Sequence, residues 1–313
     1  MLAMDGVLII DKPVGLTSHD VISQVRRIIG LRRAGHTGTL DPFATGVLVV
    51  LLGRATRLAQ FLSGADKEYA ATIRLGYATD TGDITGKPLS AVQACPGFEA
   101  ASIEAALLSL RGEIEQTPPM YSAKKVQGRK LYEMARRGEE ITRAAVRVKI
   151  HQFEVVRRAN ELLQHNEDGS CDLAVNVVCS AGTYVRTLAE SVGQLLGIGA
   201  HLSELRRTRA GCFKIEDAIS LSQLEHEAEA GKGSRLVMSP DAALSHLPFV
   251  RLSAEESKQA RNGIGVPVLS PAETKWLEGQ QVRMRNEGDD LLAIGFYDEV
   301  SQLLRPRVVI APE

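Results

Sequence analysis

Apolar residues recur along this chain with two periods, and the periods separate its strands from its helices. Gly6-Val7-Leu8-Ile9-Ile10 and Val47-Leu48-Val49-Val50-Leu51-Leu52 are unbroken apolar runs, which reads as strands buried on both faces. Lys67 to Leu75 alternates instead, with Tyr69, Ala71, Ile73 and Leu75 on one side and Ala70, Thr72 and Arg74 on the other, so this strand is half-buried. Val146–Ile150 and Leu173–Val177 alternate in the same way. Val21, Ile22, Val25, Ile28 and Ile29 form a helical stripe with Thr17 or Ser18 as N-cap and Gly30 as the stop. Leu58, Phe61 and Leu62 mark a short helix ending at Gly64, and Ile103, Leu107 and Leu110 mark a longer one ending at Gly112. Thr183 to Gly197 is predicted as a helix with Thr183 as its cap. Strands and helices alternate irregularly, which favours an α+β fold with a mixed, mostly antiparallel sheet over a doubly wound parallel one.

Residues 221–235 turn polar and glycine-rich, which makes them a candidate boundary region. Beyond His246 the pattern changes to short strands, at Gln281–Met284, Leu291–Tyr297 and Arg307–Ile310. A small β-rich C-terminal domain follows from this, and no internal repeat is visible. The length of 313 residues suits two domains or one large domain with a small one.

Charge matters through its distribution, since the net formal charge is only -1. From Thr117 to Arg147, Lys124, Lys125, Arg129, Lys130, Arg136, Arg137, Arg143 and Arg147 face only Glu133, Glu139 and Glu140. Arg26, Arg27, Arg32 and Arg33 form a second basic group, and Arg206, Arg207 and Arg209 a third. Such surfaces suit a polyphosphate ligand, because each contact releases condensed counterions. Cys95, Cys171, Cys179 and Cys212 are scattered without metal-type spacing, which fits a reducing compartment. With no signal-peptide pattern and no apolar run of membrane-spanning length, a soluble cytoplasmic protein is expected.

The chemistry narrows by elimination. There is no phosphate loop with its lysine, no dinucleotide fingerprint, no zinc spacing and no Gly-x-Ser-x-Gly elbow. What remains is the loop Gly35-His36-Thr37-Gly38-Thr39-Leu40-Asp41-Pro42-Phe43-Ala44-Thr45-Gly46, at the mouth of a buried strand. A carboxylate held there has a rigid base and open access, and can serve as nucleophile or general base. To stay ionised when buried it needs a cationic partner, and Arg186, one turn into a helix, is a candidate.

Six ordered segments resemble the TruB family of tRNA pseudouridine synthases. They are Val7–Ser18; Gly35–Pro42; Lys67-Glu68-Tyr69 with Leu75-Gly76 and Thr79–Asp83; Gln116–Lys125 with Gly128–Tyr132; Cys179–Leu188; and His201–Thr208. Together they cover most of residues 6–215. The resemblance implies isomerisation of a uridine in the T loop of tRNA, conventionally position 55, to pseudouridine, with no cofactor and no metal. It places Asp41 as nucleophile, Arg186 as its partner and Tyr69 against the target base, where it helps move the carbon-5 proton. His36, Tyr184 and Leu205 then line the pocket around a flipped nucleotide. The fold implied is the pseudouridine synthase fold over residues 1–245, with an RNA-gripping insertion at about 117–147, and a PUA-like RNA-binding domain over 246–313. The partner implied is the tRNA T stem-loop, bound by a monomer that needs neither membrane nor protein partner. The C-terminal region departs from a simple RNA clamp, with 8 Lys+Arg against 10 Asp+Glu. Two other functions compete: a tRNA-folding chaperone, and a guide-RNA-dependent synthase like the dyskerin-type subunit of box H/ACA particles. A hydrolase would need a second carboxylate facing Asp41, for which Asp80 and Asp83 are the candidates.

Overall fold

The structure is a computed structural model that describes residues 4–310 except 123, 127, 136, 140 and 268–275. Ala123, Arg136 and Glu140 therefore lie outside the described residues, as do the side chains of Lys125 and Lys130. The main sheet runs in the order Gly6–Lys12, Thr45–Leu52, Ala200–Ala210, Lys67–Leu75, Cys171–Cys179, Val146–Val155, Gly112–Gln116. Along this path every neighbouring pair is antiparallel except Thr45–Leu52 with Ala200–Ala210. A mixed, mostly antiparallel α+β fold was expected, and this is one.

The two apolar periods have a packing cause. Leu8, Ile10, Leu48 and Val50 pack under the Ser18–Ile29 helix with Val21, Ile22 and Val25. Val7, Ile9, Val47 and Val49, on the other face, meet Leu58, Phe213 and Leu244. Both faces of these strands are thus covered, and an unbroken apolar run results. The Lys67–Leu75 strand is covered on one face only, where Tyr69, Ala71, Ile73 and Leu75 join Leu173, Val175, Leu188 and Val192. Of the two N-cap candidates it is Thr17 that starts the Ser18–Ile29 helix, in a capping box with Asp20, and the helix stops as expected at Gly30, in the left-handed region.

One helix start differs from the sequence expectation, and two further elements add to it. The helix predicted from Thr183 begins at Val185 with Tyr184 as N-cap, because the Thr183 hydroxyl donates to the Ser180 carbonyl at 2.9 Å. The polar stretch 221–235, the candidate boundary region, holds the helix Leu221–Glu229, capped by Ser220. Its Leu224 is fully buried against the Ser18–Ile29 helix. The segment Ala200–Ala210, to which the sequence pattern assigned no element, is a strand in the middle of the sheet. Its arginines are tolerated because each is engaged: Arg206 pairs with Asp11 at 2.7 Å, Arg209 with Glu68 at 3.1 Å, and the buried Arg207 donates to the Val47 carbonyl at 2.7 Å. Two of the four arginines of the second basic group are structural as well, with Arg26 donating to the Ala34 carbonyl and Arg33 to Thr56.

The parallel pairing brings Gly46 against Arg207, and only glycine fits there. Gly46 has φ +100, and a Cβ on it would overlap the Arg207 carbonyl oxygen. Gly46→Ala is therefore expected to cost roughly 2–4 kcal/mol, seen as a clear drop in melting temperature. A parent-like melting curve would show that the two strands separate readily.

The C-terminal strands form their own sheet, in the order Phe249–Arg251, Gln281–Arg285, Leu291–Asp298, Leu303–Val309, Val266–Pro267. It rests on the main sheet through Ile294, Val308 and Ile310, and Arg57 donates to the Val309 carbonyl at 2.6 Å. Asp241 anchors it with ion pairs to Arg283 at 3.1 Å and Arg285 at 2.6 Å. Cys95 and Cys171 are joined in a disulfide, a pairing their scatter did not predict. The fold makes it possible, since the Cys95 amide donates to the Gly169 carbonyl in the turn before the Cys171 strand. No helix among the described residues is long and apolar enough to cross a membrane.

Candidate active site

The backbone of the Asp41 loop is held through the residues on either side of Asp41. Leu40 and Ala44 are buried, and the Leu40 amide donates to the Ser18 hydroxyl at 2.8 Å. The next carbonyl, of Pro42, accepts from the Gly15 amide at 2.8 Å and from the Lys12 ammonium at 3.3 Å. Lys12 is fully buried and also donates to the carbonyls of Pro13 and Leu16. Burial lowers its pKa to about 8, with the Asp41 charge acting in the opposite direction. The N-terminal turn is thus pinned to the Asp41 loop, which leaves the carboxylate free to face a cavity of about 460 Å³.

Arg186 supplies the partner. Its Nε lies 3.0 Å from Asp41 Oδ2 and its Nη2 3.4 Å from Oδ1. Nη2 also donates to the Tyr121 carbonyl at 2.6 Å, and Nη1 to the Thr81 carbonyl at 2.8 Å. Behind it stands Asp83, 3.5 Å from Nη1 and itself held by Thr81 and Thr85. The guanidinium is only 5% exposed, so its direction is set from every side. The helix start that presents it is fixed by Gln116, whose side chain accepts from the Tyr184 amide at 3.0 Å.

The other expected site residues gather on the same cavity. His36, Tyr69, Tyr184 and Leu205 line it with Asp41 and Arg186. Tyr69 and Leu205 are buried on one face of the sheet, where Tyr69 is the register partner of Arg207. The His36 Nδ1 accepts from the Gly38 amide at 3.3 Å, and burial and nearby Arg207 lower its pKa, so the ring is neutral near pH 7. Asp83 was considered only as a hydrolase carboxylate; the structure sets it behind Arg186, and Asp41 is the one carboxylate among the described residues lining the cavity. That removes the second acid a glycosidase needs. Lys67 and Arg207 also line the cavity. Both fall in segments the sequence singles out, but their place at the cavity is set by sheet register.

Burial raises the pKa of Asp41 above the usual 3.8, Asp83 adds to the rise, and Arg186 opposes it. Any reaction that uses the carboxylate then weakens as pH falls through this raised value. The acid limb of kcat/KM is accordingly expected above that of a free aspartate, and a rate still flat down to pH 4 would show that Asp41 is not the titrating group.

Fold and site together define an enzyme built around one arginine-paired carboxylate in a cleft. Among solved structures, "Crystal Structure of a Cbf5-Nop10-Gar1 Complex" superposes with a TM-score of 0.73 at 29% identity, covering 99% of this chain and 86% of that one. The family model described as TruB family pseudouridylate synthase (N terminal domain) matches residues 26–185. Residues 186–245 match the model of the tRNA pseudouridylate synthase B C-terminal domain. The tRNA pseudouridine synthase B of Moorella thermoacetica (strain ATCC 39073 / JCM 9320) is 40% identical over 311 residues, 97% of this chain and 99% of its own. That of Geobacillus kaustophilus (strain HTA426) is 43% identical over 285 residues, 91% of this chain and 98% of its own. The chain belongs to the TruB family of pseudouridylate synthases.

Proposed function

We propose that this protein isomerises uridine-55 in the T loop of tRNA to pseudouridine, with Asp41 as nucleophile. The observation that carries the reading is the Asp41 carboxylate, gripped by Arg186 at 3.0 Å and turned into a cavity of nucleotide size. The names of the relatives support tRNA as the substrate class. A stacked base is out of reach of such a cavity, so the uridine is flipped out, at a cost of a few kcal/mol. Stacking on Tyr69, and contact with Tyr184 and Leu205, offset roughly 1–3 kcal/mol of that. His36, neutral and at the cavity wall, fills the space the base leaves.

The C1′–N1 bond then breaks and a C1′–C5 bond forms. The carbon-5 proton leaves with the help of Tyr69, N1 takes a proton, and the product is an isomer of the substrate. Residues 1–245 carry this chemistry, the basic segment at about 117–147 grips the RNA, and residues 246–313 form a PUA-type RNA contact. Arg186 bonds the Tyr121 carbonyl at the root of that segment, so RNA gripping and the catalytic pair share one group. The test is release of carbon-5 tritium from labelled uridine in unmodified tRNA, with no guide RNA added. Release establishes a stand-alone synthase; binding without release points to the chaperone or the guide-dependent reading.

A further inference from the structure

The cavity carries more positive charge than Asp41 can answer. Among the described residues that line it, Lys67, Lys124, Arg186 and Arg207 are cationic and only Asp41 is a carboxylate. Asp41 is engaged by Arg186. No described carboxylate lies within ion-pair distance of Lys67 or Arg207, and main-chain carbonyls hold both. Lys67 Nζ donates to the carbonyls of Ser63 and Ala65. Arg207 donates from Nε to the Val47 carbonyl at 2.7 Å and from Nη2 to the Gly38 carbonyl at 3.1 Å. The acid next to Lys67 in sequence, Asp66, lies 3.2 Å from His151.

Lys67 is 8% exposed and Arg207 2%. Two nearly buried cations without a carboxylate are unfavourable in a free protein, and burial together with the Arg207 charge lowers the Lys67 pKa. Such an arrangement suits a site whose ligand brings the missing charge. Uracil and ribose are neutral, so the phosphodiester is the only anionic part of an RNA strand. Register places the two cations correctly for it. Lys67 is two residues before Tyr69 and on the same face, roughly 7 Å along the strand, and Arg207 sits opposite Tyr69 on the neighbouring strand. With a base against Tyr69, an adjoining phosphate reaches Lys67 within the span of one nucleotide.

We propose that Lys67 and Arg207 form a subsite for one phosphodiester of the RNA strand, beside the nucleotide held over Asp41. Lys67 makes the contact through the ammonium hydrogen its two carbonyls leave over, and Arg207 supports it from beneath. The proposal rests on the tRNA reading above and names the part of the substrate that these residues recognise.

The test is the salt dependence of tRNA binding by Lys67→Met, which keeps the apolar stem and removes the charge. Affinity is expected to fall about tenfold, and the slope of log Kd against log salt to become shallower by about one phosphate contact. Lys67→Arg is expected to restore the slope. A T stem-loop with a methylphosphonate at the linkage on either side of the target uridine gives the second arm. One of the two neutral linkages should weaken binding to the parent and bring no further loss in Lys67→Met. A folded Lys67→Met with the parent's slope overturns the subsite. If that variant melts early, the parent alone decides, and equal binding of both methylphosphonate RNAs and the unmodified RNA overturns it. Tritium release by the parent is followed in the same samples, so failure of the reaction is told apart from failure of the subsite.

Discussion

Asp41→Asn is expected to lose at least about 10⁴-fold in tritium release while still binding tRNA. The amide has the shape of the carboxylate and can still accept from Arg186 Nε, now 3.0 Å from Asp41 Oδ2. It has no anionic oxygen to form a bond with the nucleoside. Its backbone is held by Ser18, Lys12 and Gly15 through residues 40 and 42, so the loop should keep its place. Binding is the control that separates chemistry from folding. A variant that binds tRNA and releases tritium at the parent rate would end the assignment of Asp41. It would also leave the cleft without a carboxylate nucleophile, since no other described carboxylate lines it.

The second large effect belongs to Arg186→Lys, for which a loss of roughly 10²–10³-fold in kcat is expected. Arg186 spreads its N–H groups over Asp41, the carbonyls of Thr81 and Tyr121, and the Asp83 carboxylate. A lysine has three donors on one nitrogen and cannot meet partners on opposite sides. It would drift toward Asp83 or Asp41 and leave buried carbonyls without donors, so the melting temperature should also fall. Loss of rate with only a small change in tRNA affinity identifies an orienting role. A parent-like kcat would show that the positive charge alone is needed and that the fork geometry is incidental.

The apolar runs at Val7–Ile10 and Val47–Leu52 were legible as strands because both faces are covered by packing partners. The alternating strands were legible because only one face is. Thr17, Asp20 and Gly30 bounded their helix correctly, since capping depends on residues next to one another in the chain. Ala200–Ala210 was not legible as a strand. Arg206 and Arg209 are paired with Asp11 and Glu68, more than a hundred residues away in sequence, and no local pattern reports that. The disulfide between Cys95 and Cys171 was hidden for the same reason, with its ends 76 positions apart in the chain.

In the site, the loop that carries Asp41 and the arginine meant for it could be named from residue types and order. A carboxylate in a glycine-rich turn and an arginine after a strand and a turn are short-range signals, and both residues meet in the cleft. The role of Asp83 behind Arg186, the clamp of Lys12 on Pro42, and the unanswered charges of Lys67 and Arg207 were decided by tertiary structure alone. Each of these depends on strand register and loop closure, which bring together groups far apart in the chain. Electrostatic energy depends on distance in space and on burial, and a sequence states neither. By itself the chain determined which residues could react, through chemical type and local geometry; the folded sheet decided which of them are paired, which are buried, and which still lack a partner.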